Sequence, residues 1–544
     1  MRHTIKPVRQ AAWLTFMPWL ACLAGLLAQF RHIIFSGFGQ THGGVGDGRL
    51  VHFTLEHGYR WFRQIPLHED FWRPPIFYPY PNASAFTDTM LGFAPLYWLP
   101  RLLGAAPDTA LQWWMLIVYG LNCGAAYALL RKGAKLSVSA STAGALLMGI
   151  ISVAWSSHLQ LFPFFYVTLA LLALFRIFHE GEGAPGTAAR RVWIGVFCAS
   201  GVSQVWAAVY AFFFFGLLTA IAVVVAFARS KTRRMFVQRV RCDAGAWILV
   251  VGLSTAAVVP LLSRYNMTAE ETGYRNYNPL YVARPYSWII MGPRDRLLGW
   301  LQKDDGPLPE RPRSHGIGLL TFCVATAGLA AHRRRASVRV IGIATLGMML
   351  LSTIYWGYSP WRLIHELVPG AGGIRAPYRA TMSLIPAAVL GVGLACEGAL
   401  RRRRYWLALL LVFVCVAERF QTRGTIDKYF LREHVAAIAE RVVPEYRAFL
   451  LVGTGTDAAW VNEDAAWVAM ATGRPAINGR YGNFPESYEI RHYDRFDKDD
   501  DETRRKLETA LEEWLDHWGI ARSEVQWIEY EALSRAGTRP HRMR

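Results

Sequence analysis

Two aspartates in the first fifth of the chain lie in settings that suit acid–base chemistry. Asp47 stands between two glycines in VGDGRL, and Asp88 lies in NASAFTDTM. A carboxylate held in a glycine-lined turn before a helix could accept a proton from an attacking hydroxyl group. Two structural interpretations stay open, because Asp47 could instead bond its own backbone in a turn and Asp88 could cap the helical run that follows it.

The same two carboxylates raise the question of a metal ion. Carboxylates from distant parts of one loop could hold a divalent cation. The sequence has no metal-ligand spacing around them, so we assign no metal ligand and expect no cofactor. A divalent cation shared by Asp47 and Asp88 is the alternative.

Two arginines far along the chain could bind an anion. Arg375 and Arg379 are four residues apart in PGAGGIRAPYRATM, just before an apolar run. Two guanidinium groups near a helix N-terminus make a good phosphate site. The other interpretation is that they anchor the chain to lipid head groups.

His158 and Arg284 are two further candidates for substrate contacts. His158 lies in SSHLQLF at a predicted helix end, where a lone histidine is more often a structural hydrogen-bond donor. Arg284 lies in VARPYSW and could line the same cleft from a second loop, or it could belong to an interfacial aromatic cluster.

The elements that must position these residues are apolar helices. The chain has 544 residues, of which 53% are hydrophobic and 18% charged, whereas a soluble domain carries roughly 25% charged residues. Apolar runs long enough to cross a bilayer recur along the chain. We therefore predict an all-α polytopic membrane protein with about 11 transmembrane helices. The predicted spans are about 12–35, 108–130, 137–156, 159–178, 192–207, 208–228, 243–262, 317–331, 338–356, 380–399 and 405–420.

The net charge of +19 predicts how the chain is oriented, and we expect no nucleic-acid partner. Basic clusters fall in alternate short loops, and the positive-inside rule places those loops and the N-terminus in the cytoplasm. The C-terminus and the longer loops are then extracytoplasmic. The clusters are Arg131/Lys132/Lys135, Arg190/Arg191, 231–241, 333–335 and 401–404.

The chain is predicted to have two domains. Residues 1–420 form the transmembrane domain, with a large first external loop at 36–106. Within that loop, 89–104 is short and contains prolines, which indicates an interfacial or re-entrant helix. Residues 421–544 are more charged and form a small extracytoplasmic α/β domain, with strands at AFLLVG and EVQWIEYE and an amphipathic helix at ETRRKLETALEEWLDHWGI.

Five segments together resemble the GT-C superfamily of membrane glycosyltransferases, in particular its large bacterial multi-pass branch. They are VGDGRL, FWRPPIFYPYPNASAFTDTMLG, SHLQLFPFFYVTLALLAL, LVPGAGGIRAPYRATM and AINGRYGNFPESY. The resemblance implies a GT-C-like fold in the bacterial inner membrane. It also implies a sugar donor linked to polyprenyl phosphate and transfer to a glycan, lipid or protein acceptor at the outer face. Asp47 would be the catalytic base, Asp88 a second acidic residue of the loop, and Arg375 and Arg379 would face the lipid phosphate.

The chain departs from the better-known members of that superfamily. It has no Asp-Glu pair of the kind found in protein mannosyltransferases. Trp113 and Trp114 are followed by Met115, where oligosaccharyltransferases have an aspartate. The acceptor therefore stays open.

Two other classes of function are alternatives: a lipid or polysaccharide transporter, and a non-catalytic scaffold for envelope assembly. Transporters usually need ionisable residues at mid-membrane. Asp243, Glu397 and Glu418 lie at the ends of predicted spans, which argues against ion-coupled transport.

Overall fold

Helices make up most of the molecule, and each of the predicted spans coincides with one. The computed structural model describes residues 13–42, 46–155, 158–178, 187–273, 277–293, 295–302, 307, 315–420, 424–454, 458–493, 495–496 and 500–531. The helices in the predicted spans are α1 Trp13–Gln29, α5 Pro107–Ala128, α6 Val138–Val153, α7 Phe165–Phe178, α8 Ala188–Ala207, α9 Val209–Phe227, α11 Ala244–Thr272, α12 Leu319–Ala331, α13 Ala336–Leu351, α15 Leu384–Arg401 and α16 Tyr405–Arg419.

Several of these helices suit a lipid environment. Within the part of the chain that the structure describes, five helical stretches are long and apolar enough to cross a membrane, and four more apolar helices are shorter. On α11, Ile248, Leu249 and Leu253 are exposed, as expected where side chains face lipid. The structure thus has the character of a multi-pass membrane protein, and the number of crossings stays a prediction.

Shorter helices lie between the apolar ones. They are α2 Arg31–Phe35, α3 Asp47–Phe62, α4 Ala94–Leu102, the basic α10 Ser230–Cys242 and α14 Trp361–Leu367. The first loop contains the 16-residue helix α3, which begins at Asp47, where the sequence predicts a turn followed by a helix. Helix α4 has nine residues and is about 14 Å long, too short for a hydrocarbon core of ~30 Å, which agrees with a non-spanning segment.

Glycines allow α12 and α15 to pack backbone to backbone. A Cβ on Gly328 would lie 1.9 Å from the carbonyl oxygen of Gly391, and one on Gly391 would lie 2.4 Å from that of Ala325. Small residues serve this purpose between membrane helices, where close van der Waals packing drives association. This contact holds α15, whose N-terminal end leads into the candidate site.

The acidic residues at the ends of the predicted spans have structural partners. The Asp243 carboxylate lies 2.8 Å from Arg190, and Glu397 accepts from the backbone amide of Ser137. Glu418 accepts from the amides of Leu320 and Thr321, so it satisfies the N-terminal donors of α12. These contacts give each of the three carboxylates a structural role, so their presence at the helix ends does not require a role in transport.

The tail consists of strands and helices, as predicted. Strand β3 Ala448–Thr454 lies between β4 Arg495–Phe496 and β5 Val525–Glu531, and both pairings are parallel. The helices are α17 Lys428–Ala439, α18 Ala458–Thr472 and α19 Asp501–Trp518. Asp427 and Asp500 cap α17 and α19 by accepting from backbone amides.

The tail packs against the first loop. Strand β1 Gln40–His42 pairs antiparallel with β2 Thr425–Asp427. One apolar cluster combines Phe53 and Phe77 of the loop with Leu450 and Trp514 of the tail. Loop and tail therefore share a core at one end of the helix bundle, and the division of the chain at residue 421 stays a prediction.

Candidate active site

Asp47 is the first residue of α3. The preceding Gly46 has φ 112, a backbone conformation that favours glycine because it has no Cβ. The partial positive charge at a helix N-terminus stabilises a carboxylate there. The sequence therefore places an anionic side chain at a defined point where the chain enters the helix.

His158 lies beside Asp47. The Asp47 Oδ2 atom is 3.4 Å from His158 Nε2, and the two side chains are 43% and 12% exposed. His158 immediately precedes the short 3₁₀ turn Leu159–Leu161 between α6 and α7. The structure thus forms a carboxylate–imidazole pair in which the carboxylate is open to a ligand.

Arg379 brings a buried positive charge to the same place. Its side chain is 6% exposed, and its guanidinium carbon lies 5.0 Å from the ring centroid of Tyr210. The charges of Asp47 and Asp88 both act on it. Its Nε atom is buried and has no hydrogen-bond partner among the described residues. A buried cation with an unsatisfied N–H is costly unless an anion reaches it.

Asp88 caps a helix, but a different one from the helix predicted. Its Oδ1 atom accepts from the backbone amide of Val209, the first residue of α9, at 2.9 Å. The alternative interpretation, that Asp88 caps the run following it, does not hold, because α4 begins only at Ala94 and Phe93 precedes it as the N-cap residue. Burial raises the pKa of Asp88 to about 6, and the Val209 hydrogen bond and the charge of Arg379 oppose this shift.

Aromatic rings complete the wall beside these groups. The His315 ring stacks between Trp155 and Tyr378, with centroid distances of 4.7 and 5.7 Å. The His158 ring lies 6.0 Å from it. Sequence reasoning missed His315 and Tyr210, although Trp155 and Tyr378 lie close in sequence to the selected residues His158 and Arg379.

The other two selected residues lie apart from this cluster. Arg375 is exposed, and it does not act with Arg379 as a pair on one helix. Pro377 disfavours helical backbone in the residue before it, and Ala376 has φ −124 and ψ 75, so the four-residue spacing does not align the two side chains. Arg284 borders a different cleft, which it lines with Trp356.

The described residues give no support for the divalent cation considered for Asp47 and Asp88. Among the described residues, no group of three or more His, Cys, Asp or Glu side chains is arranged to hold a metal ion.

A buried network in the tail supports the start of α3. Asp464 of α18 accepts from Arg49 Nη1 at 2.6 Å and from the Tyr530 hydroxyl at 2.8 Å. His434 Nε2 lies 2.9 Å from the same carboxylate. Because Arg49 follows Asp47 by two residues in one helical turn, the tail helps to position the candidate base.

The neighbouring Glu463 gives the first prediction, a pH dependence of stability. Its carboxylate is buried, and neither oxygen has a hydrogen-bond partner among the described residues. Burial raises the pKa of Glu463 from 4.5 to about 7, against the opposing charges of Arg480 and Arg49. A carboxyl group with a raised pKa binds its proton more tightly in the folded state. Its contribution to stability is therefore complete below about pH 4.5 and is lost as the pH rises to about 7.

We expect Glu463→Gln to leave stability unchanged near pH 5 and to increase it by up to roughly 3 kcal/mol at pH 8. Thermal unfolding of the purified protein at the two pH values measures this difference. The matched control is Glu524→Gln, which changes a glutamate that is 40% exposed. An equal effect of Glu463→Gln at both pH values would contradict the buried, protonated carboxyl.

Comparisons with known proteins show the fold to which this arrangement belongs. No family model matches the chain, and no curated protein matches it in sequence. The apo oligosaccharyltransferase of Archaeoglobus fulgidus is similar in structure, with a TM-score of 0.55, 13% identity, and coverage of 95% of this chain and 70% of that one. The same archaeal enzyme, AglB, with an inhibitory peptide and a dolichol-phosphate, gives a TM-score of 0.52 at 12% identity, covering 92% and 68%.

The chain shares the fold of the archaeal oligosaccharyltransferase over most of its length. The mycobacterial arabinofuranosyltransferase AftD gives a TM-score of 0.49 at 13% identity, with coverage of 86% of this chain and 32% of that one. This chain spans about two thirds of the length of the oligosaccharyltransferase and about a third of AftD. At these identities the likeness extends to the fold of membrane glycosyltransferases, and the activity has to be argued from the site.

Proposed function

We propose that the chain is an inverting membrane glycosyltransferase. In this proposal it transfers a sugar from a polyprenyl-phosphate donor to an acceptor of the bacterial cell envelope, at the outer face of the inner membrane. The observation that carries the proposal is Arg379, a buried guanidinium group with an unsatisfied N–H whose charge interacts with those of Asp47 and Asp88. A base and a cation that lie within electrostatic reach of each other are what displacement of a phosphate by a hydroxyl group requires.

Asp47 acts as the general base. Its exposed carboxylate accepts the proton of an acceptor hydroxyl, and that oxygen attacks the anomeric carbon of the donor sugar. The bond from that carbon to the phosphate oxygen breaks, and its electron pair leaves with the polyprenyl phosphate. His158, 3.4 Å away, orients the Asp47 carboxylate.

Arg379 stabilises the leaving group. Negative charge grows on the phosphate during bond cleavage, so a fixed cation stabilises the transition state more than the ground state. Asp88 lies in the field of Arg379 and caps α9, and α9 carries Tyr210, whose ring packs on the Arg379 guanidinium. Asp88 thus supports the position of the cation as the second carboxylate of the loop.

The geometry of α15 supports an outer-face site. Arg379 precedes this 18-residue helix, and the basic cluster 401–404 begins at its last residue, about 27 Å away along the axis. If the basic cluster is cytoplasmic, as the positive-inside rule predicts, the site lies at the opposite membrane surface. A lipid-linked donor reaches that surface, and the archaeal relative was solved with a dolichol-phosphate.

The donor class is the second prediction. We expect the purified protein in lipid nanodiscs to transfer sugar from polyprenyl-phosphate donors and not from nucleotide sugars. Radiolabelled donors of both kinds would be supplied with envelope extracts as acceptors, and the anomeric configuration of the product would be determined by NMR. Transfer from nucleotide sugars alone, or retention of the donor configuration, would contradict the proposal.

A further inference from the structure

A cavity lies between the first loop and the tail, on another side of α3 from the Asp47–His158 pair. Its volume is about 310 Å³, at the lower end of the ~300–1,000 Å³ range of ligand pockets. Its lining includes Arg49, His52, Asp108, Lys428, Arg432 and Trp467. Helices of both the loop and the tail therefore contribute to it.

The tail helices each contribute one face to the cavity. Lys428, Arg432 and Val435 of α17 line it, at spacings of four and three residues that place them on one side of a helix. Trp467 and Ala471 of α18 line it in the same way. This regular arrangement indicates a built pocket and not a gap left by poor packing.

Polar contacts around the cavity fix its shape. Arg432 donates to both oxygens of Asp108, at 2.6 and 2.5 Å, and so joins α17 to the start of α5. Arg60 donates to the backbone oxygen of Met470 at 2.7 Å, which joins α3 to α18. A preformed pocket binds with little loss of conformational freedom.

The lining is cationic, and one cation has a neutral partner. Lys428 is 5% exposed, and its ammonium donates to the Thr109 hydroxyl at 2.9 Å. The nearest lining carboxylate, Asp108, is already bound by Arg432. Burial lowers the pKa of Lys428, with the charge of Asp108 opposing that shift. An anionic ligand group beside Lys428 would compensate this buried charge.

Trp467 supplies an aromatic surface beside the cations. Its ring lies 4.5 Å from that of His52, so the two rings form a continuous wall. The C–H face of a sugar ring packs on a tryptophan face, while polar side chains around it bind the hydroxyl groups. Apolar and aromatic lining with a few placed polar groups is typical of small-molecule sites.

We propose that this cavity binds an acidic sugar unit of a glycan, with its ring on Trp467 and its carboxylate or phosphate group on Lys428. Gly48 and Arg49 line the cavity and follow Asp47 directly in the chain, so the cavity extends to the helical turn that begins at the candidate base. The role of this glycan as the acceptor rests on the proposed function, whereas its binding does not.

Calorimetric titration of the full chain in nanodiscs of neutral phospholipid tests the binding. The probes are a short oligogalacturonate, its methyl-esterified neutral form, inorganic phosphate, and vesicles containing phosphatidylglycerol. We expect the oligogalacturonate to bind and Lys428→Met to weaken it by about 10- to 100-fold, since a hydrogen bond to a charged group contributes roughly 1.5–3 kcal/mol. The wild type should bind the neutral ester weakly, with an affinity similar to that of Lys428→Met for the oligogalacturonate.

Three further variants separate a specific effect from misfolding. Lys428→Arg keeps the charge and should retain most of the affinity. Trp467→Leu should weaken both the acidic and the neutral sugar. Lys506→Met removes an exposed lysine that pairs with Glu502 and should change nothing. Equal affinity of the wild type and Lys428→Met, no binding of the oligogalacturonate, or competition by phosphatidylglycerol vesicles alone would overturn the proposal.

The Asp47→Asn variant distinguishes this proposal from the proposed function. It should bind the oligogalacturonate normally while transferring no sugar. Normal transfer with normal binding would overturn the assignment of Asp47 and leave the acidic-sugar site standing. If Asp47→Asn transfers no sugar and the wild type does not bind the oligogalacturonate, the assignment of Asp47 stands and the acidic-sugar site is overturned.

Discussion

Asp47→Asn should lower the rate of sugar transfer by about 10²- to 10⁴-fold, the usual contribution of a general base. The amide has the size of the carboxylate but cannot take the proton of the acceptor hydroxyl. The side chain is half exposed at the first turn of α3, so the fold should tolerate the change. Initial rates with a polyprenyl-phosphate donor, compared at equal amounts of folded protein, measure the effect.

Asp70→Asn is the matched control for this experiment. Asp70 lies in the same loop and is exposed, and its carboxylate accepts from the backbone amide of Trp72 in a turn. We expect this variant to keep normal activity. If Asp47→Asn transfers sugar at a near-normal rate, the base is another residue and the proposed mechanism is wrong.

Asp464→Ala should destabilise the protein by about 3–5 kcal/mol, because removing one member of a buried ion pair leaves the other charge unpaired. Asp464 is fully buried, and its carboxylate binds Arg49, His434 and Tyr530. Truncation would leave the Arg49 guanidinium without its anion at the join between α3 and the tail. Chemical unfolding of the detergent-solubilised protein measures the loss.

Two other variants test whether the buried charge is the cause. Glu524→Ala breaks the exposed pair with Arg447 and should cost about 0–1 kcal/mol. Asp464→Asn keeps the size and an acceptor oxygen, so its effect should lie between the other two. A loss below about 1 kcal/mol for Asp464→Ala would show that water or another anion reaches Arg49, and that the network does not hold the loop to the tail.

The Asp464→Ala substitution should affect catalysis as well as stability. Arg49 and Asp47 lie in the same helical turn, so a tail that no longer holds Arg49 also releases the candidate base. We therefore expect any Asp464→Ala protein that remains folded to transfer sugar more slowly than Glu524→Ala. The tail would then act in positioning the site and not only as an attached domain.

Local patterns in the chain were sufficient for the helices and for part of the site. Apolar runs identified the helical spans, because a helix facing lipid must be apolar over its whole length. The short segments AFLLVG and EVQWIEYE indicated β3 and β5. The glycines around Asp47 marked a residue held at a turn, and the structure places it at the start of α3.

Other features depended on contacts between distant segments. The pairing of Asp88 with the amide of Val209 joins residues 121 positions apart, and that of Arg49 with Asp464 joins residues 415 apart. Neither leaves a local pattern, since an ion pair or a helix cap requires only two suitable side chains in space. His315 was missed for the same reason, because its stacking partners lie on two other segments.

The amino-acid sequence by itself determined that the chain is a helical membrane protein with a mixed tail, because hydropathy and periodicity are local properties of the chain. It also supplied the acids and arginines from which a site could be chosen. Only the tertiary structure decided that Arg379 and not Arg375 is buried beside Asp47, and that loop and tail enclose a cationic cavity. Those outcomes depend on how far buried charges lie from one another, and that distance is set by the packing of helices far apart in the chain.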